Sequence, residues 1–286
     1  MNIDKLHAFK KVLQKTCGKV LAAELVLAFT ACFAFAGIGV SPVVVETKAR
    51  PGKTVTGTLI VLNTFSEKVL VEAQPENWAE YQKESAEPAK VESWLDIRPK
   101  KFTIKPGKMK KIKYKVRMPE NAKGEMMAMI FFASLNPGKQ TLSIGTRFGV
   151  AFYAAVQGTE SLEGNVLDTA VARSSQNGKT GITFLANLEN TGNVHFRPRG
   201  KIVIADEKDN KIDELEVQYG WPLFPGKKHL YNAFWEKVKL EKGAYHADVV
   251  FNYGDIYQDV SKEIKKSIYF EVNDAGEPAI KTEVQR

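Results

Sequence analysis

The sequence predicts an all-β protein, two immunoglobulin-like β-sandwiches in tandem after an N-terminal signal segment. Three observations carry this. The stretch Lys111-Ile112-Lys113-Tyr114-Lys115-Val116-Arg117-Met118 alternates basic and apolar residues without a slip, and a strand sends successive side chains to opposite faces. It is therefore a half-buried strand of an antiparallel sheet. Pro-Gly-Lys occurs four times, at Pro51, Pro106, Pro137 and Pro225; Pro fixes φ at the first corner and Gly supplies positive φ at the second, as a type II turn requires. Short strands punctuated every 8 to 12 residues or so indicate a sandwich or barrel, and no helical period appears beyond the first 36 residues.

Taken in order, Val43-Val44-Val45 is a first strand and Val55 to Asn63 a second with clear alternation. Val69 to Ala73 is a third, and 82–92 has loop composition. Phe102-Thr103-Ile104 leads into the basic strand, Met126 to Ala133 is a continuous apolar run suited to a central strand, and Arg147 to Val156 ends the first unit. Gln157 to Ser161 is the expected boundary, giving one sandwich over 37–157 and another over 162–273. The second repeats the grammar of the first. Ile182 to Asn190 parallels the strand ending at Asn63, and Leu223-Phe224-Pro225-Gly226-Lys227 parallels Ile104 to Lys108. Tyr245, Ala247, Val249, Phe251 and Tyr253 share one strand face, Ser267 to Val272 closes the unit, and 274–286 reads as a polar, frayed tail.

The first 36 residues differ. Lys5, Lys10, Lys11, Lys15 and Lys19 precede an apolar run from Leu25 to Ala36 that ends in Ala34-Phe35-Ala36. That is the layout of a cleaved secretory signal, with the mature chain starting at Gly37. Two alternatives stay open: an uncleaved anchor, for which the run is short of the roughly 20 residues a spanning helix needs, and a lipidated Cys32 in Phe29-Thr30-Ala31-Cys32. Both cysteines, Cys17 and Cys32, lie in this leader, so a cleaved chain folds without disulfides. The net charge of +8 falls to about +5 beyond the leader. An exported, basic, globular chain is expected, in the periplasm or at the cell surface, and nucleic acid is not an expected partner.

No catalytic constellation is read. His195, His229 and His246 show no ligand spacing and read as surface or strand-edge residues, so no metal and no cofactor is expected. Asp206/Glu207 and Asp213/Glu214 flank a turn, and no nucleophile elbow or phosphate loop occurs. Three candidate binding features remain. The basic face Lys111, Lys113, Lys115 and Arg117 suits an anionic envelope polymer, a lipid headgroup or an acidic partner, or else guards a sheet edge. Trp78, Tyr81 and Trp94 around the polar loop staple it or form a platform for carbohydrate or cell wall. In the strand from Arg147, Phe148, Val150 and Phe152 share one face, and Arg147, Gly149, Ala151 and Tyr153 the other. Arg147, Phe148, Gly149, Val150 and Phe152 are the partner-binding candidates, since a terminal strand at a sheet edge accepts another strand.

From Ser41-Pro42 through Leu59-Ile60-Val61-Leu62-Asn63 and Ile104-Lys105-Pro106-Gly107 to Met118-Pro119, 126–133 and Arg147-Phe148-Gly149-Val150-Ala151-Phe152-Tyr153, the chain resembles the N-terminal domain of PapD-like periplasmic pilus chaperones. The resemblance implies a non-enzymatic chaperone of surface or pilus-type proteins whose 147–156 strand donates hydrophobic residues to an incomplete subunit. It also implies a carboxylate anchor made by an Arg on the first strand and a Lys on the last. This chain offers Lys48 on the first strand and Gly149 or Val150 on the last. The two-unit layout, with Asn190-Thr191-Gly192-Asn193 before Lys201-Ile202-Val203-Ile204, also resembles the surface proteins that accompany WxL proteins in Gram-positive bacteria. That likeness implies a second sandwich that binds a partner.

Overall fold

A computed structural model describes residues 37–78, 90–135, 146–217, 221–236, 240–254 and 261–280. The leader with Cys17 and Cys32, Tyr81 and the Pro137 turn lie outside the described residues. Among the described residues nine strands build the first sandwich: β1 (Ile38–Ser41), β2 (Val44–Ala49), β3 (Thr54–Asn63), β4 (Val69–Asn77), β5 (Leu95–Arg98), β6 (Lys101–Ile104), β7 (Met109–Arg117), β8 (Glu125–Leu135) and β9 (Arg147–Val156). One sheet has the order β1-β3-β7-β5 and the other β2-β9-β8-β4-β6. The first strand expected from sequence, at Val43-Val44-Val45, is the start of β2, and β1 precedes it. The chain crosses from one sheet to the other between β1 and β2 at Pro42, and again between β5 and β6 at Pro99. Proline has no N–H for a ladder, so a strand that must leave its sheet does so there at little cost. β2 then runs parallel to β9, with Val44 opposite Ala151 through Ala49 opposite Val156.

Alternation places the core as expected. Leu59, Val61, Ile112, Val116, Ala128, Ile130, Phe132, Val150 and Phe152 are buried between the sheets. At about 25 cal/mol per Å² of apolar area, this interior has to hold the first sandwich together. Asn63, fully buried at the end of β3, closes it: its amide donates to the carbonyls of Glu67 (2.8 Å) and Ile104 (3.0 Å), and its Oδ1 accepts from Phe65 N–H. Gly107 N–H donates to Asn63 O from the Pro106-Gly107 turn, where Gly107 has φ 64°.

The second sandwich comprises β10 (Gly164–Gln176), β11 (Lys179–Asn190), β12 (Arg199–Asp206), β13 (Lys211–Glu216), β14 (Lys228–Trp235), β15 (Gly243–Gly254), β16 (Ser261–Val272) and β17 (Pro278–Ile280). Its sheets run β10-β11-β14 and β13-β12-β15-β16-β17. Asn190 repeats Asn63: it is fully buried, its amide donates to Val194 O (2.9 Å) and Leu223 O (2.8 Å), and Gly226 N–H donates to Asn190 O. The chain does not fray at Asn273 as the sequence suggested. Asn273 Oδ1 accepts from Ala275 and Glu277 N–H, forming a turn that returns β17 onto β16.

Candidate binding site: an open strand edge and the cleft beside it

β9 is a sheet edge over only part of its length. Hydrogen bonds from Ser134 N–H to Thr146 O and from Val156 N–H to Gly124 O turn the even-numbered positions toward β8. Those from Ala151 N–H to Val43 O and from Gln157 N–H to Ala49 O turn the odd ones toward β2. β2 begins at Val44, opposite Ala151, so no strand among the described residues pairs with 147–150 on that side. The backbone groups of Arg147 and Gly149 therefore point outward along an unpaired edge.

The side chains of this strand divide between two faces as alternation expects, but the apolar face named for partner binding is turned inward. Val150 and Phe152 are fully buried, and Phe148 packs partly against the same core. These three apolar residues fill the sandwich and are not on offer to a partner, because the sheet pleat directs them inward. The outer face carries Arg147, Gly149, Ala151 and Tyr153, beside the half-buried Met127, Met129 and Phe131 of β8. Met129 Sδ lies 3.0 Å from the Cβ position of Gly149. The Arg147 guanidinium sits 3.6 Å over the Phe131 ring and also pairs with Glu76.

The same outer face continues into a cleft of about 670 Å³ between the sandwiches. Val44, Trp78, Ala151 and Tyr153 line it from the first, and Arg197, Trp221, Leu230 and Tyr231 from the second. Val44, Leu230 and Trp221 are exposed there, Trp221 to 85%. Exposed apolar groups rimming a concave surface mark a site for binding.

Tyr153 is the floor of this joint. Its ring lies 4.1 Å from His195 and 5.9 Å from Trp78, and Trp78 meets Phe224 at 5.5 Å. His195 is not the surface residue the sequence suggested. It is 8% exposed, its Nδ1 is 2.6 Å from Glu125 Oε2, and its Nε2 is 3.7 Å from Glu46 Oε1. Arg197 Nη2 lies 2.7 Å from the same Glu46 oxygen. Burial pushes the His195 imidazole down, but its hydrogen bonds to Glu125 and Glu46 outweigh this and hold it above its ordinary value. Burial pushes Glu46 up, and His195 with Arg197 reverses that, leaving it below the usual carboxylate range. Burial raises the Tyr153 hydroxyl to about 12. Sequence reasoning missed this cluster. Its one local signal is His195 and Arg197 flanking Phe196 directly after the Asn190 turn, which puts both on one side.

Lys48 does not supply the cation of the cleft. Its ammonium pairs with Glu160 of the connecting segment at 2.5 Å, with both side chains largely buried. Arg197, from the second sandwich, lines the cleft and pairs there with Glu46. The aromatic platform is also corrected: Trp94 is 3% exposed and packs 6.3 Å from Phe152 inside the core, because the Val91–Ser93 turn folds it inward. Tyr81 lies outside the described residues, and Trp78 belongs to the cleft. Lys111, Lys113, Lys115 and Arg117 stand exposed on the sheet of β7, away from the cleft. Among the described residues no His, Cys, Asp or Glu cluster is arranged to hold a metal ion.

No family model matches the chain, and no curated protein matches it in sequence. Solved structures are similar to it. The Class 5 fimbriae chaperone CfaA is 14% identical, with a TM-score of 0.48, over 80% of this chain and 99% of that one. A chain of the chaperone–tip adhesin complex of CFA/I fimbriae is 15% identical, with a TM-score of 0.47, over 81% and 99%. The YadV chaperone is 13% identical, with a TM-score of 0.44, over 81% and 98%.

Proposed function

We propose that this chain is a non-enzymatic, exported binding protein of chaperone type that holds an unfinished segment of a surface or pilus-type protein. One observation carries the proposal: the unpaired backbone edge at 147–150 lies beside an apolar face that runs without a break into the cleft between the sandwiches. An extended segment laid along that edge gains ladder hydrogen bonds from Arg147 and Gly149, and its alternate side chains meet Met129 and Phe131. Its continuation enters the cleft over Tyr153 and between Trp78 and Trp221, where Arg197 offers a half-buried cation to an acidic group or chain terminus. The resemblance to pilus chaperones in the 41–156 stretch agrees with such a partner.

The test uses a peptide of about nine residues alternating Val and Thr, carrying a photo-activated cross-linker at its centre. Cross-links are expected within 147–150. Gly149→Asp is expected to weaken binding at least about tenfold, or 1.4 kcal/mol, with little change in Tm, since its closest neighbours, Met129 Sδ at 3.0 Å and Phe131 Cε1 at 3.2 Å, are side-chain atoms of the outer face and not backbone. Arg147→Pro, at the strand's first residue, removes one outward N–H and should also weaken binding. Cross-links confined to other surfaces, or full affinity in both variants, would overturn the proposal.

A further inference from the structure

We propose that the outer face of the sheet β1-β3-β7-β5 binds a linear phosphodiester polymer without bases, a polyol- or sugar-phosphate chain. Lys111, Lys113, Lys115 and Arg117 stand in single file on β7, all exposed, and the strand pleat spaces them by about 6.8 Å. Thr58, Thr56 and Thr54 of β3 stand opposite Lys113, Lys115 and Arg117, also exposed, so a row of hydroxyls runs beside the row of cations. On the other flank Arg98 and Asp96 of β5 stand opposite Lys113 and Lys115, and Asp96 is taken by Arg98 at 3.0 Å. Among the described residues none of the four cations of the row has an ion pair.

Guarding a sheet edge does not account for Lys113 and Lys115, because there β7 is paired on both sides, with β3 and with β5. The charge is also local. Between 98 and 117 the chain has ten Lys and Arg and no Asp or Glu, whereas 158–286 has 17 against 20. An unpaired, single-sign file of this kind repels itself and is relieved by a ligand of opposite sign and matching shape.

The chemistry narrows the ligand. Three of the four cations are Lys, point charges that hold a phosphate without fixing its orientation, as a flexible chain of phosphodiesters requires. No aromatic side chain stands on this face among the described residues, so it has no stacking platform for bases. Its exposed apolar groups are gathered at one end, Ile60 opposite Lys111 and Met109 beyond it, whereas a surface that enters lipid interleaves them along its length. The face belongs to the sheet opposite the β9 edge, so both sites can be occupied together.

Poly(glycerol phosphate) is titrated onto the full chain across a salt series. Four phosphate contacts predict a slope of log K against log salt of about −3. Each of Lys111→Gln, Lys113→Gln and Lys115→Gln should make the slope shallower by roughly one. The triple variant should lose binding, with circular dichroism checking its fold and the single variants carrying the result if it unfolds. Lys179→Gln/Lys208→Gln/Lys227→Gln, an equal charge change on the second sandwich, should leave binding intact. Absence of binding by the unmodified chain, an equal loss in the second-sandwich variant, or tighter binding of oligothymidylate or phosphatidylglycerol vesicles would overturn the assignment.

Discussion

Asn63 occupies the last position of β3 and Asn190 the last position of β11, each with no solvent exposure and each tied to the carbonyl that precedes a Pro-Gly turn. Truncating either leaves two carbonyls, at least one of them buried, and an N–H with their partner gone, and an orphaned buried polar group costs about 1–3 kcal/mol. Asn63→Ala is expected to destabilise the first sandwich by about 2–4 kcal/mol in urea unfolding, and Asn190→Ala the second by a similar amount. A loss below about 1 kcal/mol would show that water replaces the side chain. The sequence announced the pair, since both strands end in Asn and both turns read Pro-Gly-Lys. It did not announce the bond, because Ile104 is 41 residues from Asn63 and nothing in the spacing links them. His195 was misplaced, and Trp94 left open between staple and platform, for a related reason: a His after a turn or a Trp beside a polar loop shows its burial only when its tertiary partners are known.

Strand β9 was legible in its limits and in which residues share a face, because alternation over ten residues fixes both. What it pairs with was not. Its parallel partner β2 lies about a hundred residues earlier, and parallel pairing leaves no local mark such as a hairpin turn. The two faces of β9 predict opposite outcomes for neighbouring substitutions. Phe152→Ala removes a ring that meets Trp94 at 6.3 Å and Tyr114 at 5.1 Å, and should cost about 3–5 kcal/mol by denaturant unfolding. Gly149→Asp, on the outer face, should change stability by less than about 1 kcal/mol while it weakens the peptide. If the two variants were equally unstable, the outer face would be structural and not a docking surface. The crossings at Pro42 and Pro99 were hidden in the same way, since a strand that changes sheets keeps its alternation.

The two sandwiches meet through a charged joint, and its pH response follows from the directions of its shifts. His195 faces Glu46 from β2, Glu125 from β8, Tyr153 from β9 and Arg197 two residues along its own segment. Its raised imidazole value stabilises the joint fully below the ordinary His range near 6.5, and that contribution is lost as pH rises through the raised value. The lowered Glu46 contributes above the ordinary carboxylate range and is lost as pH falls through its depressed value. Hydrogen-exchange protection of 194–197 is therefore expected to peak between those limits. His195→Gln should flatten the alkaline side and Glu46→Gln the acid side; protection independent of pH in the unmodified chain would refute the account. The parallel pairing of β2 with β9 has one more consequence, for tension. The N-terminal end of β2 and the C-terminal end of β9, which leads into the second sandwich, lie at opposite ends of the same ladder. A pull applied across the start of β2 and the end of β9 loads the rungs from Val44–Ala151 to Ala49–Val156 in shear, all at once, whereas a hairpin would unzip one rung at a time. The first sandwich is thus built to bear load along the chain while the short stretch at 147–150 stays open.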